Sequence, residues 1–125
     1  MEKTLSSPDS RQLWAKAAEL VGDDEHAIRR LLSLIAETNR TTLASLHESL
    51  EALCWQQVGS AAHRMAGSAR MLDHGALITL LTELEAAARA PDTVRAAALV
   101  PVIADTLAGL DTSIEEALGF TAGRA

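Results

Sequence analysis

Four histidines and one cysteine are the side chains of this 125-residue chain best suited to covalent chemistry near neutral pH. One of them, His63, has unusual neighbours. It lies in the stretch GSAAHRMAGSARML, with Gly59 one helical turn before it and Gly67 one turn after it. A neutral imidazole is a good nucleophile. Because a glycine inside a helix costs roughly 1 kcal/mol relative to alanine, the two glycines need a compensating advantage.

A helical wheel places His63 away from the hydrophobic face of its own segment. Each residue turns an α-helix by about 100°, and the hydrophobic stripe points roughly 160° away from His63. That stripe consists of Val58, Ala61, Met65, Ala69 and Leu72. The wheel neighbours of His63 are mostly small and are Gln56, Gly59, Ser60, Ala66, Gly67 and Arg70. The spacing indicates an exposed imidazole with clearance for another molecule.

Two plainer explanations of this pattern stay open. Small residues can let a neighbouring helix pack closely, and a single histidine on a helix is commonly an ordinary surface residue. The other histidines, His26, His47 and His74, are expected near helix ends or on polar faces in contact with solvent. Cys54 is expected to be a small buried hydrophobe, since no nearby base or positive charge would activate its thiol.

The composition excludes several function classes. The net charge is −6 and the basic residues are scattered, which argues against nucleic-acid binding. A single cysteine cannot form an internal disulfide and fits the reducing cytoplasm. Apolar runs are short, so we expect no membrane contact. The chain has no nucleotide-binding glycine loop and no acidic magnesium cluster, so we expect neither ATP use nor a bound metal or cofactor.

Helices must position His63, because every periodic segment has hydrophobic residues at steps of three and four. A short first helix is predicted, capped by Ser7 or Asp9 and ended by Gly22. A long second helix follows, capped by Asp23. Its stripe is Ile28, Leu31, Leu32, Ile35, Leu43, Leu46, Leu50 and Leu53.

The third helix is predicted from about Trp55 to Leu72 and the fourth from about Ala76 to Ala90. The last segment contains Pro101, which should either kink this helix or lie in its first turn after a short preceding helix. Its stripe is Leu99, Ile103, Leu107, Leu110, Ile114 and Leu118.

These segments predict an all-α protein, an antiparallel up-down four-helix bundle with a short N-terminal capping helix. Residues 8–118 form its single domain. Residues 1–7 and 119–125 have the composition of flexible tails. A monomer is expected, because every hydrophobic stripe can be buried within one bundle.

The stretch AAHRMAGSARML resembles the signature of histidine phosphotransfer (HPt) domains, the carriers of multistep two-component phosphorelays. In that signature an alanine precedes the phosphorylated histidine, and a variable residue, a hydrophobe, usually a lysine, a glycine and small residues follow. The positions that fit are Ala62, His63, Arg64, Met65, Gly67, Ser68 and Ala69. The segments LVGDDEHAIRRLLSLI and LITLLTELEAAAR resemble the family's helices before and after that site, so the resemblance spans about residues 10 to 118.

The resemblance implies that His63 accepts a phosphoryl group from the aspartyl phosphate of a response-regulator receiver domain and passes it to another receiver. It implies a carrier rather than an enzyme, with the acidic pocket and Mg²⁺ supplied by the receiver. The residues then expected to support docking or the phosphoryl group are Gly59, Ser60, Arg64, Ala66, Gly67 and Arg70.

The sequence departs from the signature at the usual lysine, which is Ala66 here. Arg70 lies two turns along on the His63 face and is the predicted substitute, because a guanidinium pairs well with phosphate oxygens; a solvated surface charge is the open alternative. The departure also keeps a non-phosphorylated helical interaction module open. A metal-binding bundle is a third interpretation, with a single motif match at Asp23 and His26. Both a free-standing protein and a module of a hybrid sensor kinase fit the sequence.

Overall fold

A computed structural model of the chain describes the backbone of residues 8–124 and the side chains of residues 8–119. Within these residues the protein is entirely helical, with five helices and no strand. The helices are α1 (Ser10–Val21), α2 (Glu25–Glu51), α3 (Trp55–Met71), α4 (Gly75–Arg89) and α5 (Thr93–Arg124). The predicted all-α class is confirmed. The predicted tail of residues 1–7 lies outside the described residues.

Four of the helices pack as a ring. The helix α3 packs against α2 and α4, and α5 packs against α4 and α2. Arg40 pairs with Asp111 at 3.7 Å, and Nη1 of Arg29 donates to the carbonyl of Leu118 at 2.6 Å. Arg40 comes after Arg29 in α2, whereas Asp111 comes before Leu118 in α5. The two helices are therefore antiparallel. The fifth helix, α1, packs against α2 and α5.

The helix ends follow the predicted capping chemistry with one correction. Asp9 caps α1 through its carboxylate, and Gly22 ends that helix with a φ of +88°. The alternative cap, Ser7, lies outside the described residues. The prediction that Asp23 caps α2 is wrong, because Asp24 is the cap. Only the residue directly before the first helical turn reaches its free amides, and Asp23 lies one residue too early.

The last helix, α5, is the longest element. By length and composition its stretch Thr93–Gly119 could cross a bilayer, so the shortness of the apolar runs does not by itself support the expectation of no membrane contact. Many alanines lie between those runs and make the stretch apolar as a whole. The same test is passed by core helices of soluble bundles, and the stripe of α5 is buried here. Its buried residues are Ala96, Val100, Ile103, Leu107, Leu110, Ile114 and Ala117.

Pro101 lies inside α5 and does not end it. Its missing amide leaves the carbonyl of Ala97 without a helical partner. Both residues are on the exposed face, where water can satisfy that carbonyl. The backbone of α5 stays helical to Arg124, so residues 119–124 are helical where their composition predicted a tail.

Candidate functional site

His63 lies near the middle of α3, on the face turned away from the core. Its side chain is 72% exposed. The neighbouring residues Ala62 and Met65 are buried and hold α3 against the bundle. The imidazole is therefore accessible to a macromolecular partner, and the backbone beneath it is fixed by core packing.

The carboxylate of Glu85 on α4 contacts the imidazole of His63. The two side chains are joined between Nδ1 and Oε2 at 2.9 Å, and the Glu85 side chain is 20% exposed. An ionised carboxylate only accepts hydrogen bonds, so this contact assigns the proton to Nδ1 and the free lone pair to Nε2. Among the described residues, the ring of His63 has no other hydrogen-bond partner. The arrangement orients the ring and leaves one nitrogen free to act as a nucleophile.

Glu85 is a site residue that the sequence alone does not single out. The residue is one of two glutamates in the polar positions of α4, and nothing in its local pattern separates it from Glu83. Its role depends on the register between α3 and α4, which places positions 22 residues apart beside each other. The only available signal was its place in the helix that follows the motif.

The two glycines beside His63 have different surroundings. A β-carbon at Gly67 would meet no atom within 4 Å, so the surface on that side of the ring is open. A β-carbon at Gly59 would touch the β-carbon of Ala88 at 3.6 Å. Gly59 therefore also faces α4, which fits the helix-packing explanation of small residues as well as the access explanation.

The exposed side of α3 also carries two arginines. Arg64 lines a groove of about 520 Å³ between α2 and α3, together with Ser60 and Ser45. Arg70 is exposed in the last turn of α3. Neither arginine forms an ion pair with another described side chain. Both are available to a partner.

A model of the Hpt domain matches residues 30–117, a range that includes His63 and Glu85. The chain belongs to the Hpt domain family. Hpt domains are the phosphocarrier modules of two-component phosphorelays. The family match therefore covers most of the bundle and is not confined to the motif around His63.

Curated relatives of this Hpt domain are much longer proteins. The chain is 34% identical over 97 residues to the virulence sensor protein BvgS of Bordetella pertussis. It is also 34% identical to the virulence sensor protein BvgS of Bordetella parapertussis and 33% identical to that of Bordetella bronchiseptica. Each alignment covers 76% of this chain and 8% of the relative. No solved structure matches the chain.

Ala66 stands where the Hpt signature usually has a lysine, and it is completely buried. The expectation that a docked receiver would cover it is therefore wrong. Ala66 follows Gly59 by seven residues, nearly two full turns, so it lies on the same side of α3 as Gly59. That side faces α4, which excludes Ala66 from the surface.

His74 is the second correction, since it is 1% exposed rather than solvated. It is the N-cap of α4, and its Nδ1 accepts a hydrogen bond from the amide of Leu77 at 3.3 Å. Its Nε2 is buried without a hydrogen-bond partner among the described residues. Burial lowers the pKa of His74, because desolvation disfavours the charged imidazole.

Cys54 is the third correction. The thiol was expected in the core, but the residue is exposed, directly before α3. The turn between α2 and α3 explains this, because Leu53 has a φ of +54° and α2 has already ended at Glu51. No group of three or more histidine, cysteine, aspartate or glutamate side chains lies close enough to hold a metal ion in the part of the chain that the structure describes.

Proposed function

We propose that this Hpt domain is a phosphorelay carrier in which His63 accepts a phosphoryl group from a receiver-domain aspartate and passes it to a second receiver. The observation that carries the proposal is the contact of 2.9 Å between Nδ1 of His63 and Oε2 of Glu85. It gives the exposed imidazole at the family's motif position a defined ring orientation and a free Nε2. An ordinary surface histidine needs neither.

In the transfer step the lone pair on Nε2 of His63 attacks the phosphorus of the aspartyl phosphate. The new bond joins nitrogen to phosphorus, and the bond between phosphorus and the aspartate oxygen breaks. The aspartate leaves as a carboxylate, so no proton has to be removed from the nucleophile. The ring becomes a phosphoimidazolium that keeps its proton on Nδ1, and Glu85 stabilises the resulting positive charge. Transfer to the next receiver runs through the same step in reverse.

The proposed docking surface surrounds His63 on α3. Ser60 and Gly67 present little side chain beside the ring, and Gly59 adds clearance one turn below. Arg64 and Arg70 form a charged rim suited to the acidic pocket of a receiver. Met71, which is 39% exposed, adds apolar surface at the end of α3. A small mixed surface of this kind fits a transient complex.

Four further properties belong to the proposal. The helices α2 to α5 act as the up-down four-helix bundle and α1 as its cap. The partners are receiver domains, and the Mg²⁺ that assists transfer belongs to the receiver, so this domain needs no cofactor. The domain works as a cytoplasmic monomer without contact to nucleic acid or membrane. It is a carrier without kinase machinery, and its relatives favour a place within a hybrid sensor kinase.

A second candidate function is a helical interaction module that binds receivers without being phosphorylated. The absence of the usual lysine at the buried Ala66 favours it, because a cation near the histidine supports the phosphoryl group in the family pattern. In that case the docking surface would be kept and the chemistry lost.

The deciding experiment incubates the protein with a receiver domain carrying a radiolabelled aspartyl phosphate. We expect acid-labile label on the wild-type protein and none on His63→Gln. The exposed His47 provides the matched control, and His47→Gln should label normally. Label that persists on His63→Gln contradicts the assignment of the acceptor. Receiver binding without label on the wild type supports the interaction module instead.

A further inference from the structure

We infer that Arg89 on α4, rather than Arg70 on α3, is the cation that holds the phosphoryl oxygens on phosphorylated His63. The inference rests on the proposed function and adds a phosphoryl-binding residue to it. It follows from a cavity beside the His63–Glu85 pair, from the register of α3 against α4, and from the charge that the transferred group brings.

The cavity lies between α3 and α4 and has a volume of about 290 Å³. Its walls are Trp55, Gln56, Gly59, Glu85, Ala88 and Arg89. Glu85 connects this cavity to His63, because its side chain both lines the cavity and contacts Nδ1 of the imidazole. Arg89 enters the same space from the next turn of α4.

The register of the two helices puts Arg89 one turn away from His63. His63 lies opposite Glu85, and Gly59 lies opposite Ala88. The helices are therefore antiparallel here, and Arg89 lies beside Gly59. One turn of helix is about 5.4 Å, a distance that the long arginine side chain can span. Gly59 places no side chain in the path between the guanidinium and the imidazole.

A phosphoryl group on His63 creates an electrostatic problem that a cation in this cavity would solve. The group brings a charge of about −1.5 to −2 close to the carboxylate of Glu85. The two negative charges repel each other. The position where the family usually has a lysine is the buried Ala66, so no cation there compensates for the repulsion. A guanidinium beside Glu85 offsets the repulsion and can donate two parallel hydrogen bonds to phosphate oxygens.

Arg89 is better placed for this than the other arginines of the site. Arg70 lies seven residues from His63, roughly 10 Å along the helix. Arg64 points toward the groove between α3 and α2, away from Glu85. Arg89 is exposed and forms no ion pair or hydrogen bond through its side chain with another described residue. Its guanidinium is thus available to a group on His63.

The test loads the protein with phosphoramidate, a small donor that has no docking surface, and records the phosphorus NMR signal of phosphohistidine. It also measures the single-turnover rate of labelling from a phosphorylated receiver. The variants are Arg89→Ala, Arg89→Lys and Arg70→Ala. The control is Arg95→Ala, which removes an arginine that already pairs with Glu83 at 3.3 Å.

We expect Arg89→Ala to slow labelling about tenfold and to shift the phosphorus signal, since a charge-assisted contact to phosphate is lost. Arg89→Lys should restore most of the rate. Arg95→Ala should remain within about twofold of the wild type in both measurements, as expected for an exposed charge. Arg70→Ala removes part of the rim of the proposed docking surface, so it should affect only labelling from the receiver and should leave the phosphorus signal of the phosphoramidate-loaded protein unchanged.

If Arg89→Ala has the same phosphorus signal and labelling rate as the wild type, this inference is overturned, whereas the proposed carrier function stands. A phosphorus signal that shifts in phosphoramidate-loaded Arg70→Ala but not in Arg89→Ala overturns it in favour of Arg70. A wild-type protein that takes no label from any donor overturns both the proposed function and this inference.

Discussion

Glu85 of α4 reaches across to α3 and contacts Nδ1 of His63 at 2.9 Å, and this contact leaves Nε2 as the ring nitrogen without a partner among the described residues. The two residues are 22 positions apart, so the tautomer of the histidine depends on how two helices pack. The carboxylate is largely shielded and the imidazole largely exposed. The site therefore combines a fixed hydrogen-bond acceptor with an accessible imidazole.

Replacing Glu85 by alanine should change the tautomer of His63. In the wild type the proton is held on Nδ1, and without the carboxylate it should redistribute toward Nε2. Labelling from a phosphorylated receiver should fall about tenfold, because the lone pair on Nε2 is then less available. Nitrogen NMR of the imidazole measures the tautomer directly. An unchanged spectrum in Glu85→Ala would show that the carboxylate does not set it, and Glu83→Ala is the matched control.

Replacing Gly67 by leucine should block the approach of a partner without harming the fold. A side chain there meets open space, and leucine is a better helix former than glycine. We expect slower transfer from the receiver and a circular dichroism spectrum at least as helical as that of the wild type. Gly67→Ala should transfer at a nearly normal rate. Equal rates for Gly67→Leu and the wild type would contradict the clearance argument.

His74 should make the stability of the protein depend on pH. Because burial lowers the pKa of His74 in the folded protein, the unfolded chain takes up the proton first as the pH falls. The free energy of unfolding should therefore be highest above about pH 6.5, the ordinary pKa of histidine, and should decrease below it.

The variant His74→Asn isolates this effect, since asparagine caps a helix without titrating. Urea unfolding as a function of pH should show a flatter profile for His74→Asn between the ordinary pKa of histidine and the lower value that burial imposes. The exposed His47 gives the control, and His47→Asn should keep the wild-type profile. Parallel profiles for His74→Asn and the wild type would argue against a titrating role for the buried imidazole.

The cap of α2 gives a stability prediction that separates two adjacent aspartates. Asp24 accepts hydrogen bonds from the backbone amides of His26 and Ala27 at 2.9 Å and 3.4 Å. Asp24→Ala should lower the free energy of unfolding by about 1 kcal/mol, whereas Asp23→Ala should change it by less than about 0.5 kcal/mol. Chemical denaturation measures both. Equal losses in the two variants would contradict the assignment of the cap.

The helices could be predicted from the sequence because their signals are local. Hydrophobic steps of three and four, together with Asp9 and Gly22, located the helical segments, and the predicted ends of the third and fourth helices agree with α3 and α4 to within one residue. The exposure of His63 was also predictable, since it follows from the wheel of α3 alone. These features require no knowledge of how one helix sits against another.

The residues that were missed or misplaced depend on contacts between helices. Ala66 is adjacent to His63 on the wheel, yet it is completely buried. His74 looks like a polar residue at a helix end, and only the packing around the turn before α4 buries it. Glu85 joins the site through the register of α3 against α4. A periodic pattern gives the direction of a side chain but not the neighbour that it meets.

Under the proposed function, the bare backbone at Gly67 has a consequence for how this domain distinguishes one receiver from another. Peptide groups are chemically alike at every position, so the backbone surface next to the imidazole cannot discriminate between related partners. Selectivity must then depend on the longer side chains around the imidazole. Exchanging Arg64, Arg70 and Met71 for the corresponding side chains of another carrier should make the domain accept that carrier's receivers, without changing the chemistry at His63.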